Sequence, residues 1–134
     1  MISAKVLGLA KVEEAFGRAT KAVRSATSAK ANEAASGLVD AMKARVSVDS
    51  GTLRDSIRKE DNFDGTATVI AGDTSETVEA IAGGGTFDEA LAVEYGNAHS
   101  PAQPFFYNTV RDHSEKVRQG LGDAAEDAAE KELR

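Results

Sequence analysis

From Val12 to Val46 the apolar residues recur at helical steps: Val12, Phe16, Ala19, Val23 and Ala26, then Ala31, Ala34, Leu38, Met42 and Val46, with one slip near Lys30. An unbroken helix from about residue 3 to 46 would measure roughly 65 Å. A compact domain of 134 residues has a radius of gyration near ~14 Å. The helix must therefore break or project. Gly8, Gly17 and Gly37, each costing about 1 kcal/mol relative to Ala, and the stretch Ser25 to Ser28 are the candidate breaks. An Ala-rich stripe that projects needs a partner helix, from this chain or from another copy.

Beyond Val46 the pattern changes. Asp49-Ser50-Gly51 is turn chemistry, and Thr52 followed by Asp55 resembles a capping box for a single turn that anchors Leu53 and Ile57 inward. Strands are expected at Ser56 to Glu60, Thr66 to Ala71 and Thr77 to Ala82, with Asp64-Gly65 as a tight hairpin turn. Gly83-Gly84-Gly85 reads as a flexible loop, and Thr86 with Glu89 as the cap of a short helix that Gly96 ends. Ser100-Pro101-Ala102-Gln103 opens the last helix, or Pro104 opens it three residues later. Its stripe is Phe106, Val110, Val117, Leu121, Ala124 and Ala128, interrupted by His113, with Gly120 and Gly122 as a bend or fraying point.

The fold class this predicts is α+β: a small antiparallel sheet of three to four strands packed against a long N-terminal helix and a long C-terminal helix. One domain, 1–134, divides into a helix over 1–47, sheet and short helices over 48–98, and a helix over 99–134. The core is thin, because Trp is absent and aromatics are 5 % of the chain. Five of the seven aromatics, Phe87, Tyr95, Phe105, Phe106 and Tyr107, fall close together and are expected to form the packing centre.

Charge is segregated. Residues 1–48 carry eight Lys/Arg against four Asp/Glu, residues 49–110 three against eleven, and residues 111–134 five against seven. A basic helix beside an acidic middle suits complementary contacts between copies, or else two solvated faces. Nucleic-acid binding is disfavoured, since the cations are scattered among acids. No run approaches a membrane span and the N-terminus lacks a signal-peptide pattern, which predicts a soluble chain made in a cytoplasm. With no Cys there is neither a disulfide nor a thiolate metal site.

Chemical readings of the motifs are weak. Asp49, Ser50, Thr52 and Asp55 have no neighbouring His to act as base, and the triple glycine is followed by carboxylates rather than Lys-Ser/Thr. Glu94, His99, Ser100 and His113 are the nearest approach to a hydrolase set, with no second metal ligand at the usual spacing. The expectation is no enzyme, no cofactor and no metal.

Three segments between the helices carry a resemblance: Val48-Asp49-Ser50-Gly51-Thr52-Leu53-Arg54-Asp55-Ser56-Ile57, Ala90-Leu91-Ala92-Val93-Glu94-Tyr95-Gly96 and Pro101-Ala102-Gln103-Pro104-Phe105-Phe106. Together they resemble the neck, or tail-completion, proteins of tailed bacteriophages and phage-like particles. Glu89, Asn97 and Asn108-Thr109 depart from that pattern. The resemblance implies a structural virion protein of the neck or tail, assembled in the bacterial cytoplasm, that works by binding. It would form a homo-oligomeric ring, sixfold by analogy with a tail tube, touching the head-proximal connector or stopper on one side and the tail terminator or tube on the other. The motif residues it points to are Asp49, Gly51, Leu53, Ser56, Ala90, Glu94, Tyr95, Gly96, Pro101, Pro104 and Phe105. DNA would pass through the lumen without specific binding, and Glu60, Asp61, Asp64, Asp73, Glu76 and Glu79 are candidates to line it. The alternatives are a tail terminator of the same particle and a non-viral helical adaptor.

Overall fold

The structure, a computed structural model, describes residues 2–3, 8–47 and 51–134. Asp49, with Val48 and Ser50, lies outside the described residues. The first helix, α1 (Leu9–Arg45), runs 37 residues without a break, about 55 Å. Gly17 and Gly37 stay inside it and Gly8 precedes it, so the long stripe projects rather than breaks. Its end falls where the pattern changes: Val46 is the cap, and its amide donates to the Met42 carbonyl.

The partner that the stripe requires comes from the same chain. The last helix, α4 (Phe106–Leu133), lies antiparallel to α1. At one end Arg45 bonds Thr109 and pairs with Asp112, and at the other Arg18 pairs with Glu132 at 3.6 Å. Buried Ala19 and Ala35 lie on α1, and Ala124 and Ala128 are half-buried on α4. Gly120 also sits on this seam, where an added Cβ would come within 3.0 Å of Lys30 Cε. Because Arg18 already meets the end of α4, the first turns of α1 extend past it, and Val12 and Phe16 stay exposed.

Between the helices lie α2 (Thr52–Ser56), β1 (Arg58–Asp61), β2 (Ala67–Ile70), β3 (Val78–Ala80), β4 (Thr86–Asp88) and α3 (Glu89–Tyr95). The expected strand count holds, but the strands form two separate antiparallel pairs, β1–β2 and β3–β4, instead of one meander. The register is Arg58↔Ile70 through Asp61↔Ala67 in the first pair and Val78↔Asp88 through Ala80↔Thr86 in the second. The triple glycine is the reason. It turns the chain back on itself, with the Ile81 amide bonded to the Gly85 carbonyl at 3.1 Å, and so draws Thr86 to Asp88 into a strand. Thr86 is thus not a helix cap. Asp88 has that role, its Oδ1 accepting from the Ala90 amide at 2.8 Å.

One core cluster gathers Met42 and Val46 of α1, Leu53 of α2, Ile57, Ala90 of α3 and Phe105. Val69, Ala71, Val93, Phe106 and Val110 pack around it. All of these sit at the end of α1 that meets the start of α4, so the middle of the chain is a knot at one end of a helical pair.

Candidate functional site

The centre of the knot is a carboxylate. Glu94 is buried on the last turn of α3, and its two oxygens accept the amides of Phe106 at 2.9 Å and Tyr107 at 3.1 Å. The first amides of a helix have no partner within it, and an anion there is favoured by the helix dipole. Glu94 therefore caps α4 from twelve residues upstream. This corrects the expected start of the last helix: Ser100, Pro101 and Pro104 all precede it, outside any helix, and Phe105, which occupies the cap position, supplies no side-chain bond.

The segment from Gly96 to Phe105 is shaped to bring α4 to that carboxylate. Gly96 ends α3 at φ 75°, and a Cβ there would lie 2.6 Å from the Ala102 backbone nitrogen, so any other residue meets both strain and a clash. Asn97 Oδ1 accepts the amides of His99 (2.8 Å) and Ser100 (2.9 Å), an Asx turn that folds the loop back. The Gln103 amide then bonds the Val93 carbonyl at 2.7 Å, holding the Pro101–Pro104 stretch alongside α3.

A second tie joins the motifs around α2. Gly51 precedes that helix at φ 72°, with no side-chain cap, so the expected Thr52/Asp55 capping box does not form. Leu53 is buried, and buried Ser56 donates to the Leu53 carbonyl at 2.6 Å while accepting the Gly72 amide at 2.9 Å. Gly72 was not singled out in the sequence, yet a Cβ on it would sit 2.7 Å from Ala90 Cβ. Its carbonyl and that of Ser56 both accept from Arg58. Asp88 Oδ2 also takes the Asp73 amide at 2.8 Å. Thr109, read only as a departure from the family pattern, is buried, donates to the Phe105 carbonyl at 2.6 Å and accepts from Arg45.

The aromatics divide rather than cluster inside. Phe105 is 3 % exposed and Phe106 half-buried, but Tyr95 (64 %), Tyr107 (53 %) and Phe87 lie at the surface. Tyr95, Phe106 and Tyr107 instead wall an apolar groove of about 240 Å³, together with Val69, Ile70 and exposed Leu91. Tyr107 is 5.4 Å from Phe106 and 6.5 Å from Tyr95, centroid to centroid. Partial desolvation, then the neighbouring Tyr107 and Glu94, push the Tyr95 phenol up from its ordinary range, so it stays a neutral donor. The sequence signal for a surface was present in Tyr95 and Tyr107, residues that carry a polar tip.

The six acids are all exposed and fall into two groups. Glu60 and Asp61 lie on β1, each 3.4 Å from a cation two residues away, Arg58 and Lys59 respectively. Asp64, in the β1–β2 turn, accepts from the Thr66 hydroxyl and amide, which hold its carboxyl below the usual range. Asp73 and Glu76 lie on the way to β3, and Glu79 within it. In the hydrolase-like set, Glu94 is committed to two amides and His113 Nδ1 bonds the Thr109 carbonyl at 2.9 Å, while His99 and Ser100 give their amides to Asn97. Among the described residues, no group of His, Asp and Glu is placed to hold a metal ion, and no helix is long and apolar enough to cross a membrane.

Two long antiparallel helices closed at one end by a carboxylate-capped knot define an α+β structural module. Residues 10–96 match the family model described as "Bacteriophage HK97-gp10, putative tail-component". That span is more than half of the chain, and the chain belongs to this HK97-gp10-like family of phage tail components. No curated protein and no solved structure matches it.

Proposed function

We propose that this tail component is a ring subunit of the neck, joining the head connector to the tail and letting DNA pass, and that it acts by binding without catalysis. The observation that carries the reading is the family match across α1, both hairpins and α3. Support comes from the shape of the molecule: exposed apolar residues stand at the free end of α1 and around the groove, where a neighbour would cover them. A sixfold ring fits a tail tube of matching symmetry. The head-proximal stopper and the tail terminator or tube protein are the proposed neighbours, and the virion is the proposed location.

The acids of the two hairpins suit a lumen, since carboxylates repel phosphates and let a genome slide. Deleting the gene and imaging the products tests the whole reading. A neck subunit leaves full heads and tails of normal length that fail to deliver DNA. Tails of uncontrolled length identify a tail terminator instead, and normal infectious particles defeat both. Replacing Glu60, Asp61 and Glu79 with Lys should leave assembly intact but slow DNA ejection. Lost assembly with ejection unaffected in the remaining particles would place these acids between subunits, where salt would also weaken association.

A further inference from the structure

The two outer edges of the β1–β2 ribbon differ. The Asn62 amide donates to the Thr66 carbonyl at 2.9 Å, and pairs that exchange bonds alternate along an antiparallel ladder. With the register Arg58↔Ile70 through Asp61↔Ala67, this turns the N–H and C=O groups of Ala67 and Val69 away from β1, and those of Lys59 and Asp61 away from β2. Among the described residues, neither edge is bonded to a further strand. β1 guards its edge with charge, as Arg58-Lys59-Glu60-Asp61, and Lys59 Nζ donates to Asn32 Oδ1 of α1 at 3.0 Å. β2 is Ala67-Thr68-Val69-Ile70, with no charge to deter pairing. A two-stranded ribbon is marginal alone, and a third strand over an apolar surface stabilises it.

That uncharged edge borders a cleft of about 980 Å³, at the upper end of the range of ligand pockets. Ala67 and Val69 line it together with Ala34 and Leu38 of α1 and Val117 and Leu121 of α4, and β1 contributes nothing to it. Its charged lining residues, Arg24 and Asp64, are exposed and opposite in sign, so the cleft calls for no net charge. A segment laid along β2 pairs through its main chain and turns alternate side chains onto the helices. It must be free of Pro and apolar at every second position. This chain contains such a segment: in Ile2-Ser3-Ala4-Lys5-Val6 the apolar residues alternate with Ser3 and Lys5. Ile2 is fully exposed, and Gly8, at φ 94°, breaks the helical path before α1. The segment cannot reach β2 of its own chain. Val6 to Leu9 spans at most about 11 Å. Ser28, which a Cβ on Gly65 of the hairpin turn would meet at 3.3 Å, lies roughly 28 Å along α1 from Leu9, and β2 lies farther still.

We propose that residues 2–6 of one copy add as a third strand to the free edge of β2 in the next copy, with Ile2, Ala4 and Val6 over the α1–α4 side of the cleft. Donor segment and acceptor edge are different surfaces, so the contact is heterologous, and its repetition about an axis generates a ring. Glu60 and Asp61 stand on β1 and Glu79 on the other hairpin, so the contact leaves these acids free. This inference rests on the ring reading above and deepens it by naming the contact between subunits.

The chain has no Cys, so a pair of introduced thiols reports on this contact. Thr68, exposed on the outward face of β2, is the acceptor position. In assembled particles, Thr68→Cys is combined with Ser3→Cys or with Lys5→Cys, and mild oxidation of one combination should give a covalent ladder that ends at the ring size. No ladder from either combination in particles that hold several copies would overturn the inference, as would a link from position 68 to a different protein. A single copy per particle would instead remove the ring reading itself. Deleting residues 2–6 supplies a second measure, since it leaves the core intact and should not change thermal unfolding of the subunit. Incorporation into particles should fall by about tenfold or more, which two lost main-chain hydrogen bonds suffice to give. Ala67→Pro removes an outward amide while keeping the bonds to β1, and should lower incorporation alike. Parental incorporation of the deletion would show that the segment is not needed, and parental incorporation of Ala67→Pro that β2 is not where it pairs; either would overturn the proposal.

Discussion

The knot around Phe105 and the seam between α1 and α4 are built on different principles. In the knot, buried polar groups hold the chain in place: Glu94 on two amides, Ser56 between the Leu53 carbonyl and the Gly72 amide, and Thr109 between Phe105 and Arg45. Along the seam the contacts are between small side chains, and the ion pair at its far end, Arg18–Glu132, is largely exposed. Buried hydrogen bonds fix one geometry because each is costly to leave unmade, whereas small apolar contacts tolerate sliding. The knot should therefore be sensitive to removal of atoms, and the seam to their addition.

The sharpest way to break that contrast is Phe105→Ala. It deletes the one aromatic ring among the buried residues of the core cluster and should cost about 3–5 kcal/mol. Urea unfolding measures it, and a loss below about 1 kcal/mol would mean that the helical pair, not the knot, carries the stability. Next in size is Glu94→Ala, which leaves two helix-start amides unpaired and should cost roughly 2–3 kcal/mol. Glu94→Gln keeps one acceptor and should recover about half of that. Equal losses in the two variants would show that the carboxylate charge, rather than its hydrogen bonding, holds α4. On the seam, Ala35→Leu should cost about 1–3 kcal/mol through overpacking. A neutral result would show that the helices slide apart freely there.

This division also explains what could be read from sequence. The α1 stripe, the end of α1 at Val46 and the inward Leu53 and Ile57 follow from local periodicity, and local periodicity decides them. The start of α4 does not. Ser100-Pro101-Ala102-Gln103 is a good local cap, but Glu94 offers two acceptors from another helix, and the tertiary cap wins at Phe106. Thr86 likewise has the local chemistry of a cap, but pairing with Ala80 draws it into a strand. Proximity of aromatics in sequence suggested a packing centre, yet a helix start spreads Phe105, Phe106 and Tyr107 over different directions, and just one of them is buried. The groove was illegible because its walls come from β2, α3 and α4, which only the folded chain brings together.

The smallest effect, and the finest test of the contrast, is the pair of ion pairs that bracket the seam. Arg45 and Asp112 stand at the knot, where Arg45 also bonds buried Thr109, while Arg18 and Glu132 stand at the free end. The Arg45 guanidinium, outweighing slight desolvation, holds the Asp112 carboxyl below its unfolded value. A depressed carboxylate pKa adds stability that is present above the unfolded pKa and is lost as pH falls through the folded one. Asp112→Asn should therefore lower the urea midpoint slightly at pH 7, and the difference from the parent should shrink below about pH 4 as the parent's own carboxylate is protonated. Arg18→Ala at the other end should change stability by at most about 0.5 kcal/mol at any pH, as exposed pairs do. If Arg18→Ala were the more damaging and Asp112→Asn silent at neutral pH, order in the helical pair would come from its free end, and the knot would be its passenger.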